Sequence, residues 1–395
     1  LDVVIHRQIE VLDKILPKWT DLKEEFREIT VFQDINWLRS WWNYKSRKEK
    51  IMPYIVEIKE RNKTIGIIPL YCSWKKFASL SFRILKPIGS ELSDYLIPIL
   101  SKDYSPKELL GAALKKIYAD KSNWDYIDWG DIPENSVFDS VLNCQLTEEY
   151  LLIGRERTDV CPFLVLNQDF EEVKNKFNKQ LVKEILKKER KLKRKGDLTY
   201  LKALAEHDIE PIMNKFFELH CERWKYTNTP SRFRFEEERE HALLVAKGLF
   251  KNSTLHLTYL RFNNEIIAVE FAMADENKIY LYLTAFNNKF SKYSVGNILL
   301  YNLILNASQD EYGMVDFTRG DENYKQEWGT KNNFNLKYVF FNRSIKSKLY
   351  KMITQTYYSK QFKQEFIAKR LLAKSVIRTF TLILSITAKF RPLLK

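Results

Sequence analysis

One arrangement is written twice along this chain. Residues 53–58 and 65–71 (PYIVEI, IGIIPLY) flank a polar ERNKT turn. Residues 255–262 and 266–274 (LHLTYLRF, IIAVEFAMA) flank an NNE turn. Runs rich in β-branched residues around an Asn-containing turn read as hairpins. Displaced by 202 residues, the hairpins superpose, with Asn62 on Asn264, Ile65 on Ile267 and Gly66 on Ala268. A second pair aligns without a gap, KELLGAALKKIYADKSNWDYIDW (107–129) onto VGNILLYNLILNASQDEYGMVDF (295–317). Each is an apolar helix, a polar link and a short strand. Matched segments in the same order predict a duplicated α/β (α+β) fold with mixed sheets. The expected division is 1–165, 166–345 and a basic helical extension over 346–395.

The 395 residues are 45% hydrophobic and 29% charged, enough for two cores and too apolar for a disordered chain. Four cysteines (72, 144, 161, 221) form no C-x-x-C and have no histidine cluster beside them. That argues against a structural metal or disulfide framework and fits a reducing compartment. No signal-peptide pattern opens the sequence, and no run approaches the roughly 18 apolar residues of a membrane span. The net charge of +14 is concentrated: residues 341–395 hold 13 Lys/Arg and one acid, Glu365, leaving the body nearly neutral.

The halves differ at the start of the repeated helix. In the second half a strand, 279–286, runs into NNKFSKYSVGN and then the helix. A helix start with glycine offers free backbone N–H groups and the positive dipole end, which suits a diphosphate. Lys292, Ser294, Val295, Gly296 and Asn297 are the expected anion-binding residues. The first half carries Ser105-Pro106-Lys107-Glu108 there. Ser105 is expected to cap its own helix, and Glu108 puts a negative charge where phosphate would sit.

The stretch Ser291-Lys292-Tyr293-Ser294-Val295-Gly296 resembles the degenerate Q/R-x-x-G-x-G/A turn of GNAT acyl-CoA transferases, with Ser291 and Ser294 departing from the pattern. FQDINWLRSWW (32–42), LSDYL (92–96), FFELHCERW (216–224), YSVGNILLYNLI (293–304) and VDFTRGDENYKQEWG (315–329) resemble the double-GNAT group that includes CelD-like proteins linked to cellulose biosynthesis and FemAB-like transferases. The resemblance covers about 30–345. It implies two tandem GNAT-like domains. It also implies transfer of an acyl group, acetyl above all, from acyl-CoA to an amine, with an amino sugar or nucleotide-linked amino sugar of a surface polysaccharide as acceptor. FemAB-like relatives take aminoacyl-tRNA, which keeps a tRNA-dependent transferase as the alternative. A non-catalytic membrane-associated assembly factor is a third reading.

Attack on a thioester needs a neutral amine, a route for its proton and a donor for the carbonyl oxygen. Glu270 is the single charge in IIAVEFAMA, so on an inward face burial would raise its pKa. His220, on an expected helix over 211–224, has a suitable ordinary pKa and stands near Arg223 and Trp224. Asp316 ends a strand, and Arg319, Asp321, Tyr324 and Lys325 follow; strand ends are where α/β folds bind ligands. Tyr324 is the candidate acid to the leaving thiolate. Asp321 is a candidate for the acceptor, and Arg319 and Lys325 for phosphate, with an internal ion pair as the plain alternative. Asp94 is expected to line the cleft between the halves.

The charged segment 171–195 reads as one helix, either solvated or anion-binding through 183–195. The tail mixes apolar clusters with cations and suits an anionic membrane surface or a site on the body. No DNA-binding or metal motif is present. The expected location is cytoplasmic, with the inner face of a membrane as a peripheral site.

Overall fold

The computed structural model describes residues 1–77, 80–145, 152–166, 169–225, 227–342 and 344–358. The first half opens with β1 (Asp2–His6), the short helices α1 (Leu12–Ile15) and α2 (Trp19–Glu25), and α3 (Ile35–Lys48). β2 (Ile51–Glu60), β3 (Lys63–Phe77), β4 (Leu80–Pro87) and the two-residue β5 (Ile99–Leu100) follow, then α4 (Pro106–Ala119), β6 (Tyr126–Pro133) and α5 (Val137–Gln145). β7 (Leu152–Val165) leads into α6 (Phe170–Lys174), α7 (Lys179–Lys193), β8 (Leu198–Lys202), α8 (Glu206–Trp224) and α9 (Glu236–Lys251). The second half continues with β9 (Leu255–Phe262), β10 (Glu265–Ala274), β11 (Lys278–Phe286), α10 (Val295–Gln309), β12 (Met314–Asp316), α11 (Asn323–Gln326), β13 (Lys331–Phe341) and α12 (Ile345–Tyr358).

The expected hairpins are β2–β3 and β9–β10, and they match in detail. Ile58 pairs with Gly66 and the register then slips past Ile65. Leu260 pairs with Ala268 and the register slips past Ile267. The same bulge therefore sits at equivalent positions, and such features mark a shared design. The repeated helices are α4 and α10, and each is followed by a strand parallel to the one before it: β6 beside β4, β12 beside β11.

All strands join one sheet in the order β1-β2-β3-β4-β6-β13-β7-β12-β11-β10-β9-β8, with β5 on β3. The two halves exchange their last strands. β13, which follows β12 in sequence, pairs with β6 of the first half. β7, which follows β6, pairs with β12 of the second half. The two exchanged strands also pair with each other over most of their length. The expected division after residue 165 thus falls where the strand just before it already belongs to the second half's ladder.

Helices cover both faces. One face carries α3, α8 and α9 over a core shared by the halves, with Trp37, Trp41, Phe216, Phe271 and Tyr280 buried in it. On the other face α10 and α7 close a second-half core and α4 a first-half core. The single helix expected over 171–195 is broken in two, with Asn178 capping α7 through the amides of Gln180 and Leu181. Among the described residues no helix is long and apolar enough to cross a membrane. The apolar face of α12 packs Tyr350 against Phe82 and Tyr126. Residues 359–395 of the expected extension lie outside the described residues.

Candidate functional site

The second half holds an open seam. β11 and β12 pair only from Lys278–Met314 to Tyr280–Asp316. The Thr318 hydroxyl then bonds the Leu281 carbonyl at 2.8 Å, and beyond it β11 runs to Phe286 paired with β10 and no longer with β12. A bulge lies where the strands part: Phe271 faces Leu283 and Ala272 faces Leu281, which leaves Tyr282 outside the ladder. The equivalent seam of the first half has no bulge, since β3 and β4 pair without interruption. Its own chain fills it. The Leu96 amide bonds the Asp131 carbonyl at 2.7 Å and the Trp129 indole bonds the Leu96 carbonyl.

α10 starts at the end of that seam. Its N-cap, Ser294, takes the left-handed conformation (φ 51°, ψ 48°) and makes no side-chain cap. Its hydroxyl oxygen instead accepts a bond from Lys188 of α7 at 2.9 Å. The first turn of α10 is therefore left to an outside acceptor. Lys195 and Lys292 lie over the Tyr293 ring. The Tyr293 hydroxyl is held below its ordinary pKa by a hydrogen bond from Lys195, then by the charges of Lys292 and Lys191. Lys188 thus reaches the helix cap, while Lys191, Lys195 and Lys292 gather at Tyr293, the residue before it. Val295 is buried, while Ser294, Gly296 and Asn297 are half-buried. A Cβ at Gly296 would come within 3.1 Å of the Phe286 ring, so glycine there also serves a close packing contact. In the first half Ser105 makes no side-chain cap either, contrary to expectation, and Pro106 and exposed Glu108 follow it.

Glu270 lies on β10 facing α10, fully buried. Burial pushes its carboxyl up to about 7, against opposing effects of the Thr284 hydrogen bond and the Lys325 charge. The Thr284 hydroxyl donates to Oε2. Oε1 has no partner. Tyr324, at the start of α11, keeps part of its ring in solvent; burial raises its pKa, then the Glu270 charge, while Arg223 lowers it. Arg223 stacks over Phe286 at 4.4 Å, at the end of β11. Glu270, Tyr324 and Arg223 therefore sense one another around the seam. Trp224 stands beside Arg223, its indole N–H buried without a partner.

Other expected site residues are spent inside the protein. His220 lies on the opposite face from Glu270, among Phe216, Phe233 and Trp224, with Nδ1 2.8 Å from the Ser231 hydroxyl. Burial pushes its pKa down to about 4, with Arg223 and Arg232 adding to the effect. It is half-buried, with Nδ1 taken up by Ser231 and the ring packed among aromatic side chains. Asp316 is buried, accepts the Tyr95 hydroxyl and the Thr318 amide, and is raised to about 6 by burial. Arg319 pairs outside its own loop, with Asp94 at 3.1 Å and Asp131 at 3.2 Å, an ion pair joining the halves. Lys325 points its ammonium at the carbonyls of Thr318, Arg319 and Gly320 and is buried, so it has no reach to a phosphate. Asp321 is exposed. Among the described residues no cluster of His, Cys, Asp or Glu is placed to hold a metal.

Lys188, Tyr282 and Thr284 were not singled out in the sequence. Lys188 lay inside a run expected to bind anions as a whole. Tyr282 and Thr284 gave no signal, because a bulge and a cross-strand partner exist only once register is set.

A strand, a bulge, an uncapped helix start and a parallel strand that parts from the first meet at one seam of the second half. Residues 179–326 match the acetyltransferase (GNAT) domain, the stretch from α7 to α11 that contains all these features. Two solved structures share the whole architecture. FemX is 13% identical, covering 89% of this chain and 100% of its own, with a TM-score of 0.56. A conserved protein of unknown function from Bacteroides thetaiotaomicron VPI-5482 is 12% identical, covering 86% of this chain and 100% of its own, with a TM-score of 0.54. No curated protein matches the chain. The fold is the one seen in FemX, and its second half matches the acetyltransferase (GNAT) domain over residues 179–326.

Proposed function

We propose that the protein is an acyl-CoA-dependent N-acyltransferase whose second half holds the donor. The observation that carries this is the uncapped start of α10, with Lys188 on its cap and Lys191, Lys195 and Lys292 at the neighbouring Tyr293, opening on a seam that the first half fills with its own chain. Dipole and lysine charge act together on a diphosphate there. The donor's pantetheine arm fits the parted edges of β11 and β12, where unpaired backbone groups await partners. Acetyl is the acyl group favoured by the matched domain.

Glu270 is assigned as the base that takes the amine proton, since a carboxyl near 7 is half-ionised at working pH. Tyr324 is assigned as the acid to the thiolate, being exposed at the mouth and coupled to Glu270. Arg223 and Trp224 border the acceptor's approach. The acceptor class is an amino sugar or nucleotide-linked amino sugar of a surface polysaccharide, from the resemblance to CelD-like proteins. The protein acts in the cytoplasm in this reading, and the basic segment 346–395 would hold it at an anionic membrane surface. The test is thiol release from a panel of acyl-CoAs against amino sugars and their nucleotide forms. Release with acetyl-CoA and one such amine is expected; no release with any pair would reject the reading.

The lysine-lined face of α7 beside α10 favours one second reading, an aminoacyl-tRNA donor gripped through its phosphates. It requires tRNA binding that falls steeply with salt.

A further inference from the structure

Three polar atoms under α10 are sealed from solvent without a hydrogen-bond partner: Glu270 Oε1, Thr258 Oγ1 and His256 Nδ1. Register makes them neighbours. Glu270 pairs directly with Thr258, and Ala272, two residues on, pairs with His256. Alternation along a strand puts all three on the face that α10 covers. An unpartnered buried polar atom costs about 1–3 kcal/mol, and three in one patch mark the place of internal water. Ala268 and Ala272 flank Glu270 on that face and leave room for it.

The row does not end in the core. Thr258 pairs with Lys202 of β8, the terminal strand of the sheet. Tyr200, two residues before Lys202, interacts with Thr258 and with the charges of Glu270 and Asp310. Both Tyr200 and Lys202 are half-buried, reaching the open edge. On the other side Oε2 is held by Thr284, and the Lys325 ammonium is held by carbonyls and the Glu322 carboxylate.

We infer that the row Glu270–Thr258–Tyr200, completed by bridging water, is the outlet for the proton that leaves the acceptor amine. The inference rests on Glu270 being the base. The amine N–H bond breaks as an O–H bond forms at Glu270 Oε1. The water takes that proton and passes one of its own to Thr258 Oγ1. A second bridging water carries the Thr258 hydroxyl proton on to the Tyr200 oxygen, and Tyr200 releases one to bulk water. Each oxygen gains one proton and gives one up, so no co-reactant is needed.

Thr258→Val keeps the side-chain shape and removes the hydroxyl. The readout is the infrared signal of the protonated Glu270 carboxyl after a light-triggered pH jump, assigned by its loss in Glu270→Gln. Protonation should slow by about tenfold or more in Thr258→Val and in Tyr200→Phe, and recover in Thr258→Ser. Should Thr258→Val fail to fold, Tyr200→Phe at the sheet edge carries the test alone. Unchanged protonation rates in the variants would overturn the outlet and leave Glu270 as base. Undiminished thiol release by Glu270→Gln would reject the base and the outlet with it.

Discussion

At the residue scale the proposed base, Glu270, carries the sharpest expectations. As a base it must be ionised, so kcat/KM should climb with pH up to about 7 and level off above. Glu270→Gln should lose on the order of 10²-fold or more in turnover and lose that pH limb, as steady-state profiles would show. Stability should move the other way. The folded-state pKa lies above the ordinary 4.5, so the native state holds the proton more tightly than the unfolded chain. The fold therefore loses stability as pH rises from about 4.5 to 7. At pH 8 the glutamine variant should be more stable than the parent by roughly 3 kcal/mol, and at pH 4 equal to it, in urea unfolding. A parent equally stable at both pH values relative to the variant would contradict the burial argument. Glu270 was legible in the sequence because one charge stood in an apolar alternating strand. Thr284 and Thr258 were not, because their relation to it is a cross-strand register.

At the element scale the start of α10 is the feature that distinguishes the halves. Lys188 on its cap comes from α7, a helix far away in sequence, and the two helices meet through Ile185 and Leu192 packed into the same core as Val295 and Ile298. Lys188→Glu removes a cation at the helix start and adds an anion, so CoA affinity should fall, and the salt dependence of binding should become shallower. Equal affinity would separate α7 from the donor site. The periodicity of α4 and α10 and the Asn turns made these elements readable, since both signals are local. The break between α6 and α7 was missed because a polar Asn-capped gap differs little in composition from a polar helix.

At the scale of the molecule the exchange of β7 and β13 binds the halves into one sheet. Each half borrows its last strand from the other, so neither completes its ladder alone. The Arg319 pairs with Asp94 and Asp131 cross the same junction. Arg319→Ala would leave two carboxylates buried together and should cost on the order of 3 kcal/mol, seen as a lower Tm with a single transition for the whole chain. Two separate transitions would contradict the joined sheet. The duplication was legible in sequence, and the exchange was not. Repeats align along the chain, whereas the choice between two chemically similar partner edges is settled by long-range packing.

The open seam and helix start of the second half, and not their counterparts in the first, are proposed to hold the donor. Titration calorimetry of the full chain with CoA tests this most directly. Binding should be measurable in the parent, fall at least about tenfold in Gly296→Glu through charge at the dipole end, and stay unchanged in Glu108→Gln. Equal affinity in the parent and Gly296→Glu would contradict the account.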